Sequence, residues 1–217
     1  MLAALKTIRH NKMILIGRTL SPFVRRSAIL MNLAAAPYEQ KPLAAATDGD
    51  ELAQYNPLRR VPALVLDNHD VVIDSSAIID YILENFDPDH RLCPASGDNR
   101  RHTLYLGAVA TGTMEKAVAA VYERNQRPKE FVYEPYREKL LNQVYEGLAE
   151  LERHAEGITW FGGDTPNLAD VNAVVAYDFA NIISPDTTEA AAPDHLAALS
   201  SRANALPAFA NTRWVQE

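Results

Sequence analysis

Residues 61–78 read VPALVLDNHDVVIDSSAI. Two short apolar runs, at residues 63–66 and 71–73, are separated by a polar segment of Asp, Asn and His at residues 67–70. Apolar runs on either side of such a turn-forming segment are typical of a β-hairpin. The stretch therefore predicts two adjacent antiparallel strands.

A helix is predicted directly after this hairpin. Ile78, Tyr81 and Ile82 recur with the i, i+3, i+4 spacing of one helix face. Ser75 or Ser76 can cap a helix over residues 76–85. The stretch from residue 61 thus predicts a β-β-α unit.

The preceding segment predicts a strand, a helix and a second strand. Residues 13–17 form a short apolar run, and Ser21-Pro22 then begins a helical periodicity that ends near Pro37. Proline is favoured at the first helical position and serine just before it, so Ser21 is placed as the N-cap. Residues 38–43 contain a proline, which predicts an edge strand. With a short helical link, the order is βαβαββα, which implies a mixed sheet with helices on its faces.

The composition changes after Phe86. Segments rich in Pro, Asp and Ser interrupt the periodicity, and later apolar residues keep helical spacing, most clearly Leu140, Val144, Leu148 and Leu151. We therefore predict an α/β domain followed by an all-helical domain. The predicted segments are residues 1–12 as an N-terminal extension, 13–86 as the first domain, 87–98 as a linker and 99–217 as the helical domain.

A capping signal and a set of core candidates lie in the helical domain. Asn167 is followed three positions later by Asp170, a capping-box variant that opens an apolar helix. This pattern favours Asp170 as a folding determinant rather than a catalyst. Tyr105, Met114 and Tyr122 have helical spacing, which favours core positions over a pocket lining.

Composition limits the classes of partner. The chain of 217 residues is 47% hydrophobic and 23% charged, as in globular proteins, and its net charge is −7. An acidic chain offers no general attraction to nucleic acids or anionic membranes. Cys93, the sole cysteine, has no disulfide partner within the chain and no adjoining histidine or basic cluster to lower its thiol pKa, and no Cys/His spacing indicates a metal site. We expect a cytoplasmic protein without a metal.

Three polar residues at predicted helix starts are candidate ligand-binding groups. The Ser21 hydroxyl can cap its helix, or it can donate to a thiolate, which the helix dipole also favours. Asp74 and Ser75 can cap the next helix and also bind a ligand, since a carboxylate pairs with an ammonium group while a hydroxyl and helix N–H groups hold a carboxylate. A ligand with both charges side by side is the end of an amino acid.

The bond between Val61 and Pro62 adds a possible peptide-binding position. The sequence leaves its isomer open, because cis is the minority state before proline and trans proline is common before a strand. In the cis form, the N–H and C=O of Val61 can hold an extended peptide as an added strand. Arg60 follows Arg59, and such a pair is either solvated or able to reach a ligand carboxylate.

Together these motifs resemble the cytosolic glutathione S-transferase family, in the bacterial type with serine at the thiol-activating position. The resemblance covers residues 13–214. It implies a thioredoxin-like first domain, a helical second domain, a homodimer and glutathione as cosubstrate. The matching motifs are Ser21-Pro22-Phe23, Asn56-Pro57 with Val61-Pro62, residues 74–78 and residues 167–170.

By this resemblance, Ser21 matches the thiol-activating serine, Val61 the backbone partner before cis Pro62, and Asp74 and Ser75 the γ-glutamyl binders. The implied activity is conjugation of glutathione to an unknown hydrophobic electrophile. We expect Leu20 and Phe23 to line the electrophile pocket. Glutathione-dependent peroxide reduction or isomerisation is an alternative, and so is a non-catalytic regulator of the stringent-starvation type.

This sequence departs from the family pattern at two places. Leu58, Arg59 and Arg60 stand between Asn-Pro and Val-Pro, where the family usually has glycine, so the adjoining loop is expected to differ. Ser21 stands where thiol-transferring relatives carry cysteine, which argues against disulfide exchange as the main activity.

Overall fold

The computed structural model describes residues 13–191 and 193–214. The extension predicted for residues 1–12 lies outside the described residues. None of the described helices is both long enough and apolar enough to cross a membrane.

The first domain has the predicted thioredoxin-like order. Its elements are β1 (Met13–Ile16), α1 (Pro22–Leu33), β2 (Tyr38–Lys41), α2 (Gly49–Leu52), β3 (Ala63–Val65), β4 (Val71–Val72) and α3 (Ser75–Phe86). The strands form one mixed sheet in the order β2-β1-β3-β4. β1 runs parallel to β2 and antiparallel to β3, and β4 runs antiparallel to β3. The predicted βαβαββα fold is confirmed.

The sheet is covered on both faces because β1 is apolar on both sides. Leu15 packs in a cluster with Val24 of α1 and Ile78 of α3, whereas Ile16 packs in another with Leu52 of α2. Successive side chains in a strand point to opposite faces of the sheet. α1 and α3 therefore lie on one face, and α2 lies on the other.

Several elements end earlier than the sequence predicts. α1 ends at Leu33 rather than near Pro37, and Ala35 adopts a φ of 52°, the left-handed conformation that stops a helix. β2 ends at Lys41, directly before Pro42, which has no N–H to donate to a sheet. β3 and β4 are each one residue shorter than predicted.

The second domain is all-helical among the described residues. Its elements are α4 (Gly97–Asn125), a short 3-10 helix (Lys129–Phe131), α5 (Glu134–Ala155), α6 (Leu168–Ile183), α7 (Pro185–Ala190), α8 (Asp194–Asn204) and α9 (Pro207–Ala210). α4 begins slightly before residue 99, where the helical domain was predicted to start.

α6 is the centre of this domain, and it packs against α4, α8 and α1. The predicted apolar face of α5 is buried, as expected. Met114 of α4 is also buried, but Tyr105 is 48% exposed and Tyr122 is 46% exposed, so their assignment to the core is wrong. Tyr105 and Met114 are nine residues apart, which at about 3.6 residues per turn places them on opposite sides of the helix.

The capping box predicted at the start of α6 is present. The Asn167 side chain accepts from the N–H of Ala169 (2.8 Å), and the Asp170 carboxylate accepts from the N–H of Asn167 (2.8 Å). The same carboxylate also accepts from the N–H groups of Phe161 (2.9 Å) and Gly162 (3.2 Å). Burial raises the pKa of the Asp170 carboxyl to about 6, and these hydrogen bonds oppose the rise. Asp170 therefore joins α6 to the loop before it.

A largely buried ion pair joins the two domains through α1. The Arg25 guanidinium donates to Asp178 of α6 (2.6 Å) and to the Asn204 side chain of α8 (2.8 Å). Asp178 also accepts from the Ser200 hydroxyl (2.5 Å). Both α1 and the serine at its N-terminus are thus held in a defined position against the helical domain.

Candidate functional site

The loop between β1 and α1 approaches the loop before β3 very closely. Gly17 has a φ of 132°, which favours glycine, and a Cβ atom at this position would lie 2.5 Å from Val24 Cγ2 and 3.0 Å from Val61 Cβ. No side chain fits in that space. The glycine lets the two loops that carry Ser21 and Val61 lie side by side.

Ser21 occupies the N-cap position of α1, with Pro22 at the first helical position, as predicted. Its backbone carbonyl accepts from the N–H of Arg25 (2.9 Å). Its hydroxyl, however, makes no capping hydrogen bond and no other hydrogen bond within the described part of the chain. The side chain is therefore available to a ligand at the positive end of the helix dipole.

The peptide bond between Val61 and Pro62 is cis. The N–H and C=O of Val61 form no hydrogen bond with any residue between 13 and 191 or between 193 and 214. Because Val61 is only partly buried, both groups are open to an extended peptide.

The loop before Val61 keeps its shape without the family's glycine. The buried Asn56 side chain donates to the carbonyl of Arg60 (3.1 Å) and accepts from the N–H of Leu58 (2.9 Å). Arg59 takes a φ of 53°, the left-handed conformation that glycine adopts most readily, and it pairs with Asp50 (3.0 Å). Arg60 is exposed and has no acidic partner among the described residues.

Asp74, and not Ser75 or Ser76, is the N-cap of α3. Its carboxylate accepts from the N–H of Ser76 (2.8 Å), and it remains exposed to solvent. Ser75 is buried, but its hydroxyl has no hydrogen-bond partner among the described residues. Of the three capping candidates Asp74, Ser75 and Ser76, the structure therefore selects Asp74, which caps a helix as well as serine does. Ser75 is thereby left available at the start of the helix.

A buried arginine, which the sequence analysis missed, interacts electrostatically with Asp74 at this end of α3. Arg26 of α1 is 5% exposed, and its guanidinium donates to the Thr111 hydroxyl of α4 (2.6 Å). Burial lowers the pKa of Arg26 to about 10, while the charges of Asp74 and Glu115 favour its protonated form. The sequence signal that could have identified Arg26 is its position as a charged residue within the apolar segment of a predicted helix.

A cavity of about 800 Å³ lies between the two domains beside Ser21. It brings together Ser21, Arg60 and Val61, and it is also lined by Leu20 and Phe23, as expected. The helical domain closes the other side with residues that the sequence analysis did not identify as pocket-forming, which include Val118, Val121, Tyr122, Arg124, Arg137 and Leu141. Asp74 and Ser75 do not line this cavity.

Cys93 lies away from the cavity and has a basic neighbour that the sequence did not reveal. The guanidinium of Arg100 lies 3.3 Å from its sulfur, but burial still raises the pKa of the thiol. The structure therefore gives no indication that Cys93 is a reactive thiolate. Within residues 13–191 and 193–214, no group of three His, Cys, Asp or Glu side chains is arranged to hold a metal.

The described residues thus form a thioredoxin-like domain followed by a helical domain, with a cavity between them. Residues 15–90 match the family described as "Glutathione S-transferase, N-terminal domain", and residues 113–207 match "Glutathione S-transferase, C-terminal domain". The chain belongs to the glutathione S-transferase family.

Individual relatives agree with this assignment. The chain is 30% identical to maleylacetoacetate isomerase of Pseudomonas aeruginosa, over 69% of this chain and 72% of the relative. It is 27% identical to glutathione S-transferase U8 of Arabidopsis thaliana, over 73% of this chain and 68% of the relative.

A solved structure is similar over nearly the whole chain. It is a glutathione S-transferase from Methylobacterium radiotolerans in complex with glutathione sulfonate, and it is 25% identical to this chain with a TM-score of 0.86. The similarity covers 95% of this chain and 99% of the other.

Proposed function

We propose that this protein is a glutathione transferase that lowers the pKa of the glutathione thiol and conjugates the thiolate to an electrophile. The observation that carries the proposal is the Ser21 hydroxyl, which lies at the N-terminus of α1, lines the cavity and has no hydrogen-bond partner among the described residues. A hydroxyl donor and a helix dipole both favour a thiolate over a thiol.

In the proposed complex, the cysteinyl backbone of glutathione pairs with the N–H and C=O of Val61. The γ-glutamyl ammonium group pairs with Asp74, and its carboxylate binds the Ser75 hydroxyl and the first N–H groups of α3. Arg60 is available to the glycyl carboxylate. This arrangement directs the sulfur toward Ser21, so the electrophile occupies the apolar part of the cavity near Leu20 and Phe23.

The reaction needs only a positioned thiolate. The thiol proton leaves to solvent, and the sulfur then attacks the electrophilic carbon. As the C–S bond forms, the carbon either releases a leaving group with its bonding electron pair or passes the π electrons of its double bond to an activating group, which takes a proton from water. An unperturbed thiol has a pKa of about 8.5, so each unit by which Ser21 and the helix lower it increases the thiolate fraction near neutral pH.

Isomerisation is a second candidate, since the relative with 30% identity is a maleylacetoacetate isomerase. It would use the same thiolate, adding it reversibly to a double bond, and a glutathione-dependent peroxidase would direct it at a peroxide. A non-catalytic regulatory role is less well supported, because the Ser21 hydroxyl and the Val61 backbone are both left open. The proposed setting is cytoplasmic detoxification.

Calorimetric titration with glutathione tests binding, and it is followed by assays with electrophiles, peroxides and cis-alkenes. Heat of binding together with conjugate formation is the expected result. Binding without turnover of any of the three substrate classes would support the regulatory alternative.

Asp74→Asn and Ser75→Ala are each expected to weaken glutathione binding by about tenfold to a hundredfold. Each removes one charge-assisted contact, worth roughly 1.5–3 kcal/mol. Asparagine still caps a helix, so Asp74→Asn separates ligand binding from capping. Ser76→Ala is the matched control, since it alters the adjacent hydroxyl. Calorimetric dissociation constants that stay unchanged in both variants would place the γ-glutamyl site elsewhere.

A homodimer is also expected, as in the family that the chain resembles. Light scattering at micromolar concentration should give about 48 kDa, twice the 24.0 kDa of one chain. A mass of one chain under those conditions would contradict this part of the proposal.

A further inference from the structure

All charged side chains that line the cavity among the described residues are arginines. They are Arg18 and Arg60 from the first domain and Arg124 and Arg137 from the helical domain. The whole chain has 28 acidic residues against 21 Lys and Arg. The composition alone would therefore predict more acidic than basic side chains in the cavity, whereas its charged side chains are all basic.

The arginines in the cavity also differ from nearby arginines in their pairing. Arg59 and Arg127 do not line the cavity, and they pair with Asp50 (3.0 Å) and Glu123 (2.8 Å), respectively. Arg60 and Arg124 line it, and neither has an acidic partner among residues 13–191 and 193–214. Positive charge thus remains uncompensated where a ligand would bind.

Arg137 is only weakly compensated. One guanidinium nitrogen lies 3.4 Å from a carboxylate oxygen of Glu134, whose side chain is 60% exposed. Such exposed pairs contribute little. The Nε atom of Arg137 is buried without a hydrogen-bond partner among the described groups, and unpaired buried donors are unfavourable. An additional acceptor near this guanidinium would stabilise it.

Glutathione accounts for only part of this charge. In the proposed complex, glutathione lies on the first domain, and its glycyl carboxylate binds Arg60. Arg124, in the last turn of α4, and Arg137, in the first turn of α5, belong to the opposite wall of the cavity. Apart from Tyr122 and Asn125, their neighbours in that wall are apolar and include Val118, Val121 and Leu141.

We propose that Arg124 and Arg137 form a carboxylate-binding subsite for the second substrate, so that the preferred electrophile is an organic anion with an apolar body. This inference rests on the proposed function. Arginine is suited to the role because its planar guanidinium binds a carboxylate through two hydrogen bonds. The bound carboxylate would orient the electrophilic carbon toward the sulfur at Ser21 without taking part in the reaction.

Ethacrynic acid and its methyl ester form a suitable pair of probes. Both carry the same apolar aryl vinyl ketone, and the carboxylate lies away from the reacting alkene. The thiolate sulfur bonds to the terminal alkene carbon, the π electron pair moves onto the ketone oxygen, and the enolate takes a proton from water. The ratio of kcat/KM for the acid to that for the ester therefore reports recognition of the charge.

This ratio is expected to favour the acid in the wild type and to fall by about tenfold or more in Arg124→Gln and in Arg137→Gln, as for loss of a charge-assisted bond. Glutathione affinity, measured by calorimetry, should be retained in both variants. Arg153→Gln is the control, because Arg153 lies on α5 outside the cavity and pairs with Glu150.

Three outcomes of the experiments on the variants would overturn the subsite. They are an unchanged ratio in both variants, an equal loss for acid and ester, and a loss of glutathione affinity that accompanies the loss of rate. Binding of the saturated analogues of the two probes, which cannot react, is measured in parallel with glutathione present. If the wild type binds the saturated acid more tightly than its ester but conjugates neither reactive probe, the transferase proposal fails while the subsite stands. Equal binding of the two would overturn the subsite alone.

Discussion

Asp170→Ala is expected to lower the free energy of unfolding near neutral pH by about 3 kcal/mol. The carboxylate accepts hydrogen bonds from the N–H groups of Asn167, Phe161 and Gly162, and Asp170 is fully buried. Each buried donor left without a partner costs roughly 1–3 kcal/mol, although removing a buried carboxylate also removes its desolvation cost. The expected loss exceeds that of an ordinary helix cap, which is about 1 kcal/mol.

Chemical denaturation of the variant and the wild type measures this loss. Asp164→Ala is the matched control, because Asp164 is exposed in the same loop and makes no hydrogen bond with the described residues. The surviving folded fraction of Asp170→Ala should bind glutathione with wild-type affinity. A variant that unfolds like wild type would show that these hydrogen bonds do not form.

The loss should also depend on pH. Burial raises the pKa of Asp170 from 3.8 in the unfolded chain to about 6, so the folded protein binds a proton here more tightly than the unfolded chain does. The linked stabilisation is complete below pH 3.8 and is lost as the pH rises through about 6. The difference in stability between wild type and Asp170→Ala should therefore be larger at about pH 5 than at about pH 8, by roughly 1 kcal/mol.

Ser21→Ala is expected to raise the pKa of the bound glutathione thiol by about one to two units and to lower kcat/KM near neutral pH by about tenfold to a hundredfold. Its stability should change little, because the Ser21 hydroxyl makes no capping hydrogen bond. This observation separates the two roles that the sequence left open. A cap role would require a loss of stability, whereas thiol activation requires a change in the thiol.

Ser21→Asp provides a sharper comparison. Aspartate is also suited to the N-cap position of α1, but its negative charge opposes the thiolate, so the thiol pKa should rise further than in Ser21→Ala. Ultraviolet titration of bound glutathione measures the thiolate directly in both variants. Thr19→Val is the control, since Thr19 belongs to the same loop but does not line the cavity. An identical thiol pKa in wild type and Ser21→Asp, with activity intact, would refute the assignment of Ser21.

The parts of the fold that the sequence predicted are those set by local signals. The hairpin turn, the apolar face of α5 and the Asn167/Asp170 box depend on residues within a few positions of one another. The predicted ends of the elements were less accurate. For example, α1 ends early because Ala35 adopts a left-handed backbone conformation that the composition does not specify.

The first-domain candidates Ser21, Arg60 and Val61 line one cavity, whereas the opposite wall of that cavity was not predicted. Arg124 and Arg137 lie in polar stretches that resemble ordinary solvated surface, and only the packing of α4 on α5 brings both to the cavity. Tyr122 was assigned to the core because spacing along a long helix does not fix which face is covered. Arg26 was missed because burial of a charged group depends on distant partners such as Thr111.

Gly17 limits how new specificities can arise in this chain. Because a Cβ atom at this position would meet Val24 of α1 and Val61, a side chain here would have to displace α1 or the loop that carries Val61. Laboratory evolution should therefore leave residue 17 invariant and find its variation on the facing wall, where side chains can be exchanged without disturbing the thiol. We therefore expect few tolerated mutations in the first-domain wall of the cavity, where glutathione is proposed to bind. More should be tolerated in the helical-domain wall, which would select the electrophile.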